Sequence, residues 1–458
     1  MLLIIPDRGS NFTSIGRTLN AGFFAYADGG FPPSETRRGR CNPGTRLEEE
    51  TSMRKSALLI CSALVAAASL ARVGAASAEE RTVYIDGFGA KSGVVRSLGI
   101  NSEAAMRAAV DLINSQGGVK LADGATGKIK FEYYDDRCVA EEGISIVRRM
   151  AAGPTLIGVG PSCSNVTEPL YGILQKKVGD ATDSGLQFPV FTDVAIKIGL
   201  AKISEWSFRN VPSETEMYTT MYKWVKDTHP ELKTLYAGVE ENFSHSRASW
   251  YAVQKDAAPA AGFDVKGVTK WLVDDTNFAQ QVREIKAANP DVLAVVAHSF
   301  TTCGLLKEMD RQHVKVKMLI GLTSSAIQET LTNCGKVAEG ITIPTSFALL
   351  TPEAKAANER VAKYNGTLDI HSAGTYEAMF ILKKLIEDQG VLAKPDTVQA
   401  DRVKIRNGLA ALKTTDGLLG TVDRTSDREA VKPYLYIAAK DSKWVVMHDM
   451  IKTKQAAN

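Results

Sequence analysis

Charge of one sign is what this 458-residue sequence most lacks: 55 Lys and Arg face 52 Asp and Glu, a formal net charge of +3. With no basic excess to neutralise a nucleic-acid backbone, no nucleic-acid partner is expected. Cysteine is sparse, six in all, and none stands in a C-x-x-C pair, so a zinc site or a redox dithiol has little support. The chain has no G-x-x-x-x-G-K-[ST] phosphate loop, no H-E-x-x-H pair and no G-x-S-x-G nucleophile elbow. Gly158-x-Gly160 is too short for a dinucleotide fingerprint. No cofactor, no metal and no catalytic residue are therefore expected. What is there, 44% hydrophobic and 23% charged residues, is the composition of a folded protein, not of a disordered, collagen-like or multi-span membrane chain.

One apolar stretch lies outside any folded pattern. It begins after Met53-Arg54-Lys55, runs from Ala57 to Ala68 and exits through Ala76-Ser77-Ala78. A basic start, an apolar core well below the roughly 20 residues of a membrane-spanning helix, and an A-x-A exit predict a secretory signal peptide over 53–78. Signal peptides act from the N-terminus, so residues 1–52 read as an over-extended start and are left out of fold reasoning. Cys41 and Cys61 fall in the removed region, leaving Cys138, Cys163, Cys303 and Cys334. In an oxidising compartment the economical reading is two disulfides, Cys138–Cys163 and Cys303–Cys334, although four cysteines allow three pairings.

From Arg81 onward, short β-rich runs alternate with amphipathic helical segments, the pattern of parallel sheets with crossover helices. Thr82–Ile85, Ile129–Tyr134 and Leu156–Val159 read as strands of a first series. Thr234–Ala237, Val292–Val296 and Lys317–Ile320 belong to a second series that starts after Arg209-Asn210-Val211-Pro212. Helices near Pro352–Tyr364, Ala373–Asp388 and Val403–Leu412 follow, and a closing hairpin is expected at Tyr434–Ile437 and Trp444–Met447. Two such series predict an α/β protein of two doubly wound parallel-sheet lobes.

The segments Asp111-Leu112-Ile113-Asn114-Ser115-Gln116-Gly117-Gly118-Val119, Tyr134-Asp135-Asp136-Arg137-Cys138 and Gly158-Val159-Gly160-Pro161-Ser162-Cys163-Ser164 then occur in a telling order. With the signal peptide and the opening loop at Ser92-Gly93, the mature chain resembles the type I periplasmic solute-binding proteins of the branched-chain amino acid (Leu/Ile/Val) branch of ABC importers. The resemblance implies two lobes joined by three hinge crossings, placed near Arg209–Pro212, Ile341–Thr345 and Val431–Tyr434. Lobe 1 would comprise 81–210 plus 345–432, and lobe 2 would comprise 211–344 plus 433–450. It also implies a periplasmic monomer that closes on an amino acid or a related small carboxylate or amide and delivers it to ABC permease transmembrane subunits. Two alternatives share the fold: a sensory protein that presents its ligand to a membrane receptor, and a binder of a non-amino aromatic or aliphatic carboxylate. A disulfide between cysteines placed like Cys138 and Cys163 is a family feature.

Ligands of open α/β sheets bind beyond the strand C-termini, often against a helix N-terminus. Ser164 matches the family's serine that hydrogen-bonds the ligand carboxylate; a plain N-cap is its other reading. Ser92, Gly93 and Ser162 lie in the same set of loops. Thr192, Asp193, Val194 and Ala195 correspond to the family's next ligand-contacting loop, where Asp193 is either a receiver for an ammonium group or a solvated turn residue. In the second series, Glu240, Phe243 and His245 follow a strand where the family places an aromatic cover, and His245 could also be a surface histidine. Ser299 and Thr323 end the next two strands. The family's amino-acid binders commonly carry an acid near Thr323, so α-amino recognition would need Asp193 or Glu240 as a substitute.

Overall fold

The computed structural model describes residues 79–450. The over-extended start at 1–52 and the signal peptide at 53–78, with Cys41 and Cys61, lie outside the described residues.

The first sheet holds β1 (Glu80–Gly89), β2 (Val119–Lys120), β3 (Thr126–Lys130), β4 (Tyr133–Asp135), β5 (Ile157–Val159), β6 (Val190–Thr192) and β7 (Ser207–Arg209). Its order is β2-β3-β1-β5-β6-β7, with β4 pairing the far end of β1. All neighbours are parallel except β2 and β3. The run Ile129–Tyr134 is thus two strands, not one. The register against β1 is unchanged across the gap, with Tyr84 opposite Lys130 and Gly87 opposite Tyr133. The break is filled by Asp86, whose Oδ1 accepts the Glu132 N–H at 2.9 Å.

The chain then enters the second sheet, formed by β8 (Thr234–Glu240), β9 (Asp264–Trp271), β10 (Val292–Val296), β11 (Met318–Gly321) and β12 (Ile341–Thr345). It returns after Thr345 to the helices Pro352–Ala362, Ser372–Asp388 and Val398–Ala411. A small antiparallel sheet follows, β13 (Thr414–Gly417), β14 (Gly420–Arg424) and β15 (Ala430–Val431). A last crossing leads to the hairpin β16 (Leu435–Lys440) and β17 (Lys443–Asp449), which extends the second sheet in the order β17-β16-β12-β11-β10-β8-β9. The architecture is two parallel-sheet lobes with helices on both faces.

Alternation along the strands builds the cores. In β8 and β10, Leu235, Ala237, Val239, Val292, Ala294 and Val296 join one apolar cluster, while Tyr236, Leu293 and Val295 join the cluster of the opposite face. Period two on a sheet covered on both faces requires that division. The first lobe is covered by the helix Arg96–Ser115, which buries Leu98, Ala105, Met106, Ala109 and Ile113 at helical spacing. That helix stops at two glycines, Gly117 (φ 107°) and Gly118 (φ 84°), and the Gly118 N–H caps the Ile113 carbonyl at 2.9 Å. Of the three possible pairings, the structure contains the disulfides Cys138–Cys163 and Cys303–Cys334.

Candidate functional site

Parallel topology aims the C-terminal ends of β1, β4, β5 and β6 at one region of the first lobe. Gly89 ends β1, Asp136 follows β4, Ser162 follows β5 and Asp193 follows β6. The Ser162 and Tyr133 hydroxyls lie directly over Gly89, where a Cβ would stand 2.0 Å from Ser162 Oγ and 2.9 Å from Tyr133 Oη. Only glycine leaves room for this polar group. Tyr133, Ser162 and Ser102 hydroxyls face one another, and none makes a well-formed hydrogen bond.

Asp193 is 1% exposed, which excludes the solvated turn. Its Oδ2 accepts from Thr375 on the helix Ser372–Asp388, while Oδ1 has no partner. Burial, only partly offset by the Thr375 hydrogen bond, pushes its carboxyl up to about 7. Asp136 is also raised to about 7 by burial, with one oxygen taking the Cys138 N–H at 2.9 Å and the other unpartnered. Two buried acids therefore stand near one another without a cation of their own.

The other residues of these loops divide by role. Thr192 is committed to the scaffold: its hydroxyl donates to the Pro161 carbonyl at 2.9 Å and accepts from the Ala195 N–H at 3.3 Å. Val194 and Ala195 are buried in an apolar cluster that Phe243 joins from the second lobe. Ser164 opens the helix Ser164–Ile173 without capping it, and its Oγ accepts from the Lys197 N–H at 3.3 Å. Ser92 hydrogen-bonds Asp135, and Gly93 is exposed in a left-handed turn at φ 79°. These two are not joined to the buried polar set.

The second lobe contributes two carboxylate–histidine pairs. His298 Nδ1 lies 2.6 Å from Glu240 Oε2, and Glu240 also accepts from Thr301 and from Ser246 at 3.0 Å. His245 Nε2 lies 3.2 Å from Glu214 Oε2, with Ser324 Oγ 3.1 Å from its other nitrogen. His245 is thus buried, not a surface residue. Burial pushes both carboxyls up, but the charge and hydrogen bonds of the partner histidines prevail and hold Glu214 and Glu240 below their ordinary range. Phe243 packs its ring 4.1 Å from that of His298. Ser299, 6% exposed, starts the following helix with its hydroxyl unpartnered.

Thr323 resolves the missing acid. Its Oγ1 donates to Glu214 Oε2 at 2.8 Å, so a carboxylate does stand at this position but comes from the first crossing. The same Glu214 oxygen lies 3.2 Å from His245 Nε2.

Sequence reasoning also missed His371 and Thr375. His371 is 1% exposed and sits beside the backbone of Val194 in the first lobe and of Ser324 in the second, with both ring nitrogens lacking a well-formed hydrogen bond. Burial, together with the charges of His245 and His298, lowers it to about 3. A signal was present: of the six histidines, only His245, His298 and His371 are followed by serine, and all three lie at or next to a helix start. Among the described residues no group of three or more His, Cys, Asp or Glu is placed to hold a metal ion.

A family model described as periplasmic binding protein matches residues 82–443. Among solved structures, the branched-chain amino acid transporter substrate-binding protein LivJ of Streptococcus pneumoniae, in complex with isoleucine, superposes with a TM-score of 0.67 at 17% identity. It covers 80% of this chain and 99% of its own. The leucine-binding protein LivK of Thermotoga maritima gives 0.68 at 16%, covering 80% and 97%. An ABC-transporter solute-binding protein of R. palustris in complex with 4-hydroxybenzoate gives 0.67 at 16%, covering 80% and 96%. At these identities the structural likeness concerns the fold. The family match spans most of the sequence, and the chain belongs to the periplasmic binding protein family.

Proposed function

We propose that this protein is the extracytoplasmic solute-capturing component of an ABC importer, working in the periplasm and passing its ligand to a membrane permease. Family membership implies a location outside the cytoplasm, and the signal-peptide reading of 53–78 supports export. The observation that carries the reading is His371, buried between Val194 of one lobe and Ser324 of the other with neither nitrogen in a well-formed hydrogen bond. Buried polar atoms are almost always paired in folded proteins, so unpaired ones drawn from two lobes mark a place where a small molecule completes the set. Ser162, Ser164, Asp193, Glu214, His245, Ser299 and Thr323 surround the proposed ligand, and Phe243 covers it.

The ligand class is an amino acid or a related small carboxylate or amide. The similar structures hold isoleucine in one case and 4-hydroxybenzoate in another. Capture needs no bond to form or break: the solute settles on the first lobe and the second closes over it. The test is a thermal-shift screen of the exported protein against amino acids, aliphatic acids, aromatic acids and amides. A saturable rise in melting temperature with one class is expected, since a ligand at a hundred times its Kd stabilises by about 2.7 kcal/mol. Melting unchanged by every class, or turnover of any of them, overturns the proposal.

A further inference from the structure

We infer that the protein selects its solute by a hydroxyl group, seated at the strand ends of the first lobe among Tyr133, Ser162 and Asp193. This rests on the solute-capture reading and narrows its ligand to hydroxylated acids, hydroxylated amino acids included, in place of purely aliphatic or aromatic ones.

The argument is one of hydrogen-bond counting. Four segments bring five buried polar atoms together, each without a well-formed hydrogen bond. They are Ser102 Oγ from the helix Arg96–Ser115, Tyr133 Oη and Asp136 Oδ2 from β4 and its loop, Ser162 Oγ beyond β5, and Asp193 Oδ1 beyond β6. Ser102, Asp136, Ser162 and Asp193 are each at most 3% exposed. The five form one group: the Tyr133 hydroxyl faces those of Ser162 and Ser102 and feels the charges of Asp193 and Asp136. Scaffold needs do not explain the spare oxygens, because Thr375 and the Cys138 N–H satisfy the opposite oxygen of each acid. Gly89 keeps the space at the end of β1 clear for the Ser162 and Tyr133 hydroxyls.

The group mixes donors with acceptors. The three protein hydroxyls each offer a hydrogen, and burial keeps Tyr133 neutral so that it retains its own. The Asp193 and Asp136 oxygens accept, or donate when they carry the proton that burial favours. A ligand hydroxyl donates one hydrogen and accepts at two lone pairs, so it meets both kinds at once. A methyl or ring C–H in its place leaves all of them unpaired, and a site built around a hydroxyl rejects the analogue that lacks it by about 10⁴-fold or more. The apolar residues of the same loops, Val194 and Ala195, already belong to one buried cluster with Phe243. A metal ion is a poorer match, since no described set of three or more ligating side chains surrounds the position.

The test uses pairs that differ by the hydroxyl: L-threonine against L-valine, L-lactate against propionate, and 4-hydroxybenzoate against benzoate, by thermal shift and calorimetric titration of the exported protein. In at least one pair the hydroxylated member is expected to bind at least tenfold more tightly. Tyr133→Phe and Ser162→Ala should each weaken that member at least tenfold and leave its partner's affinity unchanged, a split that a general loosening of the fold would not produce. Binding in which no pair favours its hydroxylated member overturns the inference and leaves solute capture standing. Tighter binding of L-asparagine than of any hydroxylated probe overturns it too, since an amide then fills the seat. Inertness of all seven probes also overturns it, and the broader screen then decides capture separately. A preference unchanged in both variants, or an equal loss for both members of the pair, overturns the seat at Tyr133 and Ser162. If one variant melts early, the other and the wild-type ratio decide.

Discussion

Asp193 and His371 are buried acid and base whose titrations act on stability with opposite signs. The Asp193 carboxyl is raised from 3.8 to about 7, so the native state holds its proton where the unfolded chain has lost it, and stability falls as pH rises through that window. His371 is lowered from 6.5 to about 3, so the unfolded chain takes up a proton first and stability falls as pH drops below 6.5. Asp193 acts over the same window with the opposite sign, so His371→Asn should make the melting temperature fall less, or rise, on acidification from pH 6.5 to 4. An unaltered acid limb would show that other groups set it. Ser164 poses a separate question at the same scale. Its oxygen accepts the Lys197 N–H at 3.3 Å, which leaves the hydroxyl hydrogen free to donate to a ligand carboxylate. Ser164→Ala should weaken a carboxylate ligand by roughly 1–3 kcal/mol with little change in unfolding, as titration calorimetry and urea denaturation would report.

Elements with strong periodicity were readable from the sequence; those without it were not. The helices that bury a face at helical spacing and the apolar strands β8 and β10 announce themselves. The three-residue strands β6 and β7 are too short to show any period. β9 is an edge strand with half-exposed residues and Gly267 at φ 154°, and its composition hides it. The loop from β4 to the helix Ala140–Ala152 holds Arg137 and Cys138 in succession at φ 52° and 62°, a conformation uncommon for residues with a Cβ. The Cys138–Cys163 bridge ties that loop to the start of the helix Ser164–Ile173 across 25 residues. Replacing both cysteines with serine should lower stability by about 3 kcal/mol on a loop-entropy basis, measured by denaturant unfolding. Because the bridge anchors the Asp136 loop and holds no ligand, affinity per folded molecule should change little; a selective loss of binding with normal unfolding would contradict that role.

At the scale of the whole molecule, the parts of the site hardest to read are those brought together by the crossings. Glu214 follows the first crossing and His371 follows the second, and neither belongs to a motif that names its partners. Asp193 and Ser164 stood out as candidates because they follow strands within one series. One contact also runs between the lobes. Asn165, on the first lobe, accepts the Ser244 N–H at 2.6 Å and donates to the Asn242 carbonyl at 3.3 Å, both on the second. These bonds exist only where the lobes meet, so they contribute to closure and not to the folding of either lobe alone. Asn165→Ala should therefore speed ligand release and weaken affinity about fivefold, the equivalent of about 1 kcal/mol for a modest hydrogen-bonded contact. Unfolding of the unliganded protein should change little, and small-angle scattering of the liganded variant should show a larger radius of gyration at subsaturating ligand. Equal affinity and equal radius would mean that closure is held entirely by the ligand and the buried histidine cluster.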